Sequence, residues 1–123
     1  MGYQKILVAL DRSNQSDAVF EQALATAKQD GATLMLLHCI PIESEGITPY
    51  STLYGEEMIS FSQTIQKQVE KETEEVRQWL ADYCQKSMAQ GVPAEWDVKV
   101  GDAASCIRDG AKNWNADLIV LGR

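Results

Sequence analysis

The chain has 123 residues, 45% of them hydrophobic and 24% charged, which is typical of one globular domain. Its formal net charge of -7 argues against binding to DNA or RNA, which needs a basic surface, and against docking on an anionic membrane. No stretch approaches the roughly 18 consecutive apolar residues of a membrane span, and no signal-peptide pattern opens the chain. We therefore expect a single cytoplasmic domain over residues 1–123.

The first third of the chain predicts a β-strand, a helix and a second strand. A continuous apolar run over residues 5–10 is typical of a buried parallel strand. Ser13 and Ser16 are candidate N-caps of a helix whose apolar residues recur at steps of three and four, and Gly31 ends this helix. Residues 32–40 form a second buried run, which completes a βαβ unit.

The rest of the chain predicts two more helix–strand pairs after a loop over residues 41–55. A long amphipathic helix runs from 56 to 90, with first turns that we expect to be separate or irregular. Residues 94–100 alternate between apolar and charged, as at a sheet edge. Residues 101–102 open a third helix, and 117–121 predict a strand buried on both faces. The buried helix positions are predicted to be Met58, Phe61, Ile65, Val69, Val76, Leu80, Tyr83 and Met88, then Ala104, Ile107, Ala111 and Trp114.

The alternation of strands and helices predicts an α/β fold, an open parallel sheet with helices on both faces. In such sheets, ligands bind beyond the carboxyl ends of the strands, where the strand order reverses. With a strand order of 3-2-1-4, Asp11 and Gly122 would flank that crevice. A carboxylate there can hold a ribose hydroxyl or a magnesium ion, and a glycine lets backbone approach a phosphate. The alternatives are a helix N-cap at Asp11 and a plain turn at Gly122.

Other kinds of site find little support in the sequence. Neither a Rossmann glycine pattern nor a Walker A loop follows the first strand, and no G-x-S-x-G turn occurs. The single histidine, His38, excludes a multi-histidine metal site, and its position within an apolar strand predicts a hydrogen-bonded core residue. The three cysteines, Cys39, Cys84 and Cys106, predict buried free thiols in a reducing compartment. We predict no catalytic residue and no metal ligand.

Several segments together resemble the universal stress protein family. Residues 5–13 (KILVALDRS) are similar to its first strand and D-x-S turn, and residues 34–39 (LMLLHC) are similar to its second strand. Residues 101–111 and 117–122 are similar to its G-x-P-x-x-x-I and D-L-I-V-x-G segments, with Ala103 in place of the usual proline. The resemblance covers nearly the whole chain and implies the family's adenine nucleotide α-hydrolase-like sheet, with five parallel strands in the order 3-2-1-4-5.

The resemblance also implies a site for an adenine nucleotide. In family members that bind ATP, the acid after the first strand contacts the nucleoside, and the end of the second strand lines the adenine. A glycine motif after the fourth strand, G-x2-G-x9-G-[ST], holds the phosphates. The matching residues here are Ala9, Asp11, Cys39, Leu121, Gly122 and Arg123. The implied ligand is ATP or AMP, with or without magnesium, which Asp11 would contact indirectly.

The match to the glycine motif stops at Arg123. Its second and third glycines and its Ser/Thr are not in the sequence, nor are the family's last helix and fifth strand. We expect the gene to continue beyond Arg123, because a buried last strand would otherwise have an uncovered edge. A naturally short chain is the alternative, and it would bind nucleotides weakly.

The leading functional hypothesis is a stress-response regulator in which nucleotide occupancy tunes conformation or homodimerisation, read by an unknown protein partner. The second is a stress-induced interaction module that binds no nucleotide. The third is an ATP-using enzyme of the wider adenine-binding group, but residues 10–16 match neither its H-x-G-H nor its S-G-G-x-D-S signature. A phosphoacceptor receiver domain fits less well, because Asp11 lacks the acidic neighbour it needs. We expect at most weak ATP hydrolysis.

Overall fold

The computed structural model describes residues 2–40 and 56–122. Its elements are β1 (Lys5–Ala9), α1 (Ser16–Asp30), β2 (Thr33–Ile40), α2 (Glu56–Ala89), β3 (Ala94–Val100), α3 (Ala103–Trp114) and β4 (Leu118–Leu121). The predicted loop over 41–55 lies outside the described residues, and so do the side chains of Met58, Phe61, Ile65 and Val69. Within the described ranges, no helix is long and apolar enough to cross a membrane.

The four strands form one parallel sheet in the order β3-β2-β1-β4. In the register, Ile6 of β1 lies between Leu34 of β2 and Leu118 of β4. A helix joins each consecutive pair of strands, since parallel neighbours need a crossover. The predicted α/β class and the order 3-2-1-4 are confirmed, as is the place of β3 at an edge of the described sheet.

Helices α1 and α2 cover one face of the sheet. The fully buried side chains of this core include Ile6, Val8, Phe20, Leu34, Leu36, Val76 and Leu80. The predicted burial of Met88 is wrong, because its side chain is 59% exposed. Ser87 is buried instead and donates to the Val92 carbonyl oxygen at 2.8 Å. The buried face of α2 follows steps of four, three and four residues, through Val76, Leu80, Tyr83 and Ser87. Met88 is one residue further on and therefore lies about 100° away round the helix.

Helix α3 covers the other face and approaches it closely at Gly110. A Cβ atom at this position would lie 3.2 Å from Leu37 Cδ2, so the missing side chain sets the helix–sheet distance. Cys106 and Gly110 are the buried helical positions, whereas the predicted Ala104 is exposed. The other predicted positions, Ile107, Ala111 and Trp114, are half-buried. The prediction followed the helical spacing of the apolar residues, whereas the two buried positions are those that face the sheet most directly, Cys106 and Gly110.

Strand β4 differs most from its prediction of burial on both faces. Leu118 and Val120 pack against the core under α1 and α2. Ile119 and Leu121 point to the opposite face and are 40% and 57% exposed. Helix α3 packs over β2 on that face, and within the described residues it leaves this part of β4 uncovered. An apolar run alone therefore overstated the burial of the strand.

The helix ends follow the sequence signals in part. Ser13 and Ser16 are not N-caps of α1: Gln15 occupies that position without a side-chain cap. Gly31 ends α1 in the left-handed conformation at φ 68°, as predicted. Helix α2 is continuous from its first turn rather than irregular. Asp102 caps α3 through its side chain, as the predicted start of this helix requires.

Candidate functional site

A cavity of about 390 Å³ opens at the carboxyl edge of the sheet. It lies beyond β1, where the strand order reverses, since β2 and β3 lie on one side of β1 and β4 lies on the other. Its lining comprises Ala9, Leu10, Asp11, Leu37, His38, Cys39, Gly101, Ala103, Ile107, Leu121 and Gly122. The volume falls within the roughly 300–1,000 Å³ of small-molecule sites.

The structure brings five of the six predicted site residues to this cavity. They are Ala9, Asp11, Cys39, Leu121 and Gly122. The sixth, Arg123, lies outside the described residues. Ala9 is paired with Leu121 in the register of β1 and β4, which joins the two ends of the chain at one wall. The role of these residues in binding stays a prediction.

Asp11 is exposed and lies at the start of the β1–α1 loop. Its Oδ1 accepts the Ser13 N–H at 3.0 Å and the Ser16 hydroxyl at 3.5 Å. The hydroxyl and then the N–H of Ser13 hold the pKa of Asp11 below its ordinary value of 3.8. The carboxylate is therefore ionised at neutral pH, and its remaining lone pairs can accept a hydroxyl of a ligand.

Cys39 supplies a neutral wall rather than a reactive thiolate. Burial, and after it a hydrogen bond with the Cys106 thiol, raise the pKa of the Cys39 thiol to about 12. The thiol is consequently protonated at neutral pH and acts as a small apolar group. Cys84 and Cys106 are buried as predicted, whereas Cys39 is half-buried because it borders the cavity.

Gly122 lies where the chain after β4 passes against the first turn of α1. A Cβ atom here would overlap Cγ2 of Val19 and lie 3.8 Å from Gln15 Oε1. Valine is stiff at χ1, so it yields little space. The glycine therefore allows the backbone after β4 to pass close to another part of the molecule, as predicted. Among the described residues, that neighbouring part is helix α1.

His38 is a buried, hydrogen-bonded residue, as the sequence predicted. The residue is 6% exposed, and its Nδ1 lies 2.6 Å from the carbonyl oxygen of Leu10. A carbonyl oxygen can only accept, so Nδ1 carries the proton. The Trp79 ring packs edge-on against the imidazole, with centroids 5.7 Å apart.

Residues at the start of α3 line the cavity but were not predicted as part of the site. They are Gly101, Ala103 and Ile107. The signal was available, because β3 ends at the same edge of the sheet as the other strands. The Gly101 N–H donates to the Ile40 carbonyl oxygen at 2.9 Å, which extends the sheet to the cavity rim. The prediction considered the ends of the strands next to the switch point and overlooked the connection between β3 and α3.

The chemistry of the lining is apolar, with one carboxylate. No lysine or arginine belongs to the part of the lining that the structure describes. Backbone N–H groups are therefore the donors open to an anionic ligand there. The described residues also contain no group of three or more His, Cys, Asp and Glu side chains able to hold a metal ion.

A model of the universal stress protein family matches residues 2–123. The chain belongs to the universal stress protein family. It is 49% identical over 123 residues to the universal stress protein Sll1388 of Synechocystis, covering 100% of this chain and 80% of that protein. The family resemblance of the sequence motifs is thereby confirmed.

Solved structures of family members have the same fold. The universal stress protein UspA from Lactobacillus plantarum has a TM-score of 0.79 at 22% identity, covering 99% of this chain and 78% of that one. A universal stress protein from Archaeoglobus fulgidus in complex with dAMP has a TM-score of 0.63 at 22% identity, with 99% and 82% coverage. A universal stress protein in complex with cAMP has a TM-score of 0.61 at 20% identity, with 98% and 76% coverage.

Proposed function

We propose that this universal stress protein binds an adenine nucleotide in the cavity beyond β1 and β4. The observation that carries the proposal is an apolar cavity with a single carboxylate, Asp11, at the switch point of the sheet. The complexes of two structural neighbours with dAMP and cAMP support the choice of an adenine ligand. Their low identity to this chain makes them support for the proposal rather than its basis.

The chemistry of the lining suggests a role for each wall. Leu37, Ile107 and Leu121 offer the apolar surface that a purine ring needs. The ionised Asp11 would accept a ribose hydroxyl, and the backbone at Cys39 would face the edge of the base. Gly122 would present backbone to the first phosphate. All six residues line the same cavity.

The proposal assigns the phosphates mainly to residues beyond this sequence. The described lining has no basic side chain, and the family's glycine motif would begin at Gly122. Residues 1–123 would then form one domain without that motif's later glycines, the last helix and the last strand. On this proposal the 123-residue chain binds AMP and ATP with similar affinity, and a longer chain that carries the whole motif prefers ATP.

The regulatory part of the proposal concerns what occupancy does. ATP or AMP, with or without magnesium, would bias conformation or homodimerisation in the cytoplasm, and a protein partner would detect the change. Sedimentation velocity of the longest available chain with and without nucleotide tests this part. We expect the dimer fraction or the sedimentation coefficient to change with saturating nucleotide, and identical profiles would contradict it.

Calorimetric titration with adenosine, AMP and ATP, each with and without magnesium, tests the binding itself. We expect Asp11→Ala to weaken binding roughly ten- to hundredfold, the scale of a hydrogen bond to a charged group. Asp117→Ala is the matched control, because its carboxylate holds the Gln4 and Lys5 N–H groups at the opposite edge of the sheet. This variant should bind like the parent chain.

Two results would overturn the binding proposal. Undetectable binding at millimolar nucleotide would favour an interaction module that needs no nucleotide. Binding that is unchanged in Asp11→Ala would place the ligand elsewhere on the molecule. Assays of ATP hydrolysis on the same samples test the remaining hypothesis, an ATP-using enzyme. An enzyme-like turnover would indicate such an enzyme instead of a regulator.

A further inference from the structure

Strand β2 holds both backbone polar groups of Leu10, the residue directly before Asp11. The Leu10 N–H donates to the Leu37 carbonyl oxygen at 2.9 Å, as in a regular parallel ladder. The Leu10 carbonyl oxygen accepts from His38 Nδ1 at 2.6 Å. Leu10 and His38 are both buried, at 3% and 6% exposure, so this bond is shielded from water. Its loss would leave a buried carbonyl without this partner.

Beyond Leu10, the Ser16 hydroxyl makes a long, partly buried bond to Asp11 at 3.5 Å, and the Arg12 contacts of the β1–α1 loop lie at the surface. Arg12 adopts φ 61°, in the left-handed region that is costly for a residue with a side chain. Its guanidinium lies 5.5 Å from the centroid of the Trp79 ring and 3.9 Å from Glu75 Oε2, and both charged partners are exposed. Exposed pairs contribute little. Among these side-chain contacts, the short and fully buried one is therefore the bond from His38 to the Leu10 carbonyl.

We propose that His38 is a positioning residue of the adenosine site. Its buried hydrogen bond holds the strand end from which the Asp11 carboxylate projects. His38 also lines the cavity, but its imidazole contacts the Leu10 carbonyl and the Trp79 ring. Ligand binding then depends on His38 through Leu10 and Asp11, not through contact of the imidazole with the ligand. The ligand-binding part of this inference rests on the proposed function, whereas the effect on the Asp11 loop rests on the geometry alone.

Three substitutions at His38 separate the hydrogen bond from the bulk of the side chain. In His38→Asn, the side-chain amide is as many bonds from Cβ as Nδ1 and can donate to the same carbonyl. His38→Leu keeps an apolar side chain but has no donor, and His38→Gln places its amide one methylene too far. Ser87→Ala is the matched control. This variant also removes a buried hydrogen bond to a backbone carbonyl, the bond of 2.8 Å from the Ser87 hydroxyl to the Val92 oxygen. That bond lies at the amino edge of the sheet, away from the cavity.

Amide hydrogen exchange of the ligand-free protein tests the positioning directly. The reporter is Ser13, whose N–H donates to Asp11 Oδ1 at 3.0 Å. The internal reference is Ser105, whose N–H makes the equivalent bond to Asp102 at 3.0 Å at the start of α3. We expect His38→Leu to speed Ser13 exchange roughly fivefold relative to Ser105, the scale of one hydrogen bond. His38→Asn and Ser87→Ala should leave the ratio unchanged.

An unchanged exchange ratio in folded His38→Leu would overturn the inference. If that variant does not fold, the comparison of His38→Gln with His38→Asn decides in the same way, with faster Ser13 exchange expected in His38→Gln alone. Unfolding curves in urea establish which variants are folded. Equal exchange in these two variants would also count against the inference.

Adenosine titration of the His38 and Asp11 variants tests the ligand-binding part. We expect roughly fivefold weaker binding in His38→Leu, recovery in His38→Asn, and no further loss when His38→Leu is added to Asp11→Ala. A loss that persists in the Asp11→Ala background would mean direct contact and would overturn the inference. If the parent chain binds no adenosine while Ser13 exchange still responds to His38→Leu, the proposed function fails and the positioning of the loop stands.

Discussion

At the residue scale, three aspartates act as acceptors for backbone N–H groups at the ends of helices and strands. Asp11 accepts from the β1–α1 loop, Asp102 caps α3, and Asp117 accepts from the start of β1. Backbone N–H groups hold the pKa of Asp102 and Asp117 below the ordinary value of 3.8, and the Ser13 hydroxyl followed by the Ser13 N–H does the same for Asp11. Carboxylates in an acidic chain are thus more than solubilising charge, since they satisfy backbone donors that the sheet and helices leave open.

Asp117 joins the beginning of the chain to its last described strand. Its two oxygens accept the Gln4 N–H at 2.9 Å and the Lys5 N–H at 3.0 Å, across 113 and 112 positions of sequence. The Gln4 N–H is the largest cause of its lowered pKa. A group with a depressed folded pKa stabilises the protein above its unfolded pKa, and this contribution is lost as the pH falls through the folded value.

We therefore predict that Asp117→Ala lowers the urea midpoint of unfolding at pH 7 and that this difference shrinks below pH 3.8. The physical reason is that protonation of Asp117 removes the charge that its two N–H partners favour. Urea unfolding at pH 7 and at pH 3 checks it, and Asp109→Ala serves as an exposed carboxylate control. An equal difference at both pH values would contradict the prediction.

At the element scale, the packing of α3 on the sheet depends on a glycine inside a helix. Glycine costs about 1 kcal/mol relative to alanine in a helix interior, so its presence at Gly110 needs a compensating contact. The position faces Leu37 Cδ2 at 3.2 Å and Leu7 Cδ1 at 3.7 Å from an added Cβ. Both leucines are fully buried and have little room to move. The close approach of helix and sheet is the reason for the glycine.

We predict that Gly110→Ala changes the free energy of unfolding by less than about 1 kcal/mol, because helix propensity and crowding oppose each other. Gly110→Val should destabilise by roughly 1–3 kcal/mol, since a branched side chain cannot fit against Leu37. Urea unfolding measures both. Asp109→Val is the control for β-branching on the same helix, because its side chain is exposed. A Gly110→Val variant as stable as this control would contradict the packing argument.

At the scale of the whole molecule, the 18 acidic and 11 basic residues give a net charge of -7. The ion pairs among the described residues involve exposed or largely exposed side chains at 3.7 to 3.9 Å, which contribute little. Self-repulsion of the excess negative charge therefore opposes folding at neutral pH, and salt screens such repulsion.

We predict that raising the ionic strength from low salt to about 0.15 M increases the melting temperature at pH 7 by roughly 2–4 °C. At pH 4.6, near the isoelectric point, the same addition of sodium chloride should have much less effect. Thermal unfolding followed by circular dichroism gives both values. A melting temperature that falls with salt at pH 7 would show that favourable ion pairs outweigh the repulsion.

Much of the fold could be predicted because the signals are local. Apolar runs identify β1, β2 and β4, and the alternation of apolar and charged residues identifies β3. Gly31 and Asp102 mark a helix end and a helix start that the structure confirms. The misplaced burial of Met88 and of β4 has another origin. Apolarity indicates what a side chain tolerates, whereas burial depends on what another element places above it.

Part of the candidate site could be predicted from one topological rule of parallel sheets. Parallel strands bring their carboxyl ends to one edge, so residues that follow strands, such as Asp11 and Gly122, could be grouped before any coordinates. The same rule covers Gly101, which directly follows β3, but the packing of Ile107 against the cavity and the bond between His38 and Leu10 could not be predicted from it. Both depend on how α3 and the β1–α1 loop pack against the sheet.

The sequence by itself determined the strands and helices, the α/β class and the family, because periodicity and turn residues act over a few neighbouring positions. Only the tertiary structure decided that Ala9 meets Leu121, that His38 holds the strand end before Asp11, and that the outer face of β4 is exposed in the described chain. The physical reason is that burial, hydrogen-bond partners and pKa values arise from contacts between residues far apart in sequence. A local sequence pattern does not say which distant residues are in contact. The packing of the helices on the sheet decides that.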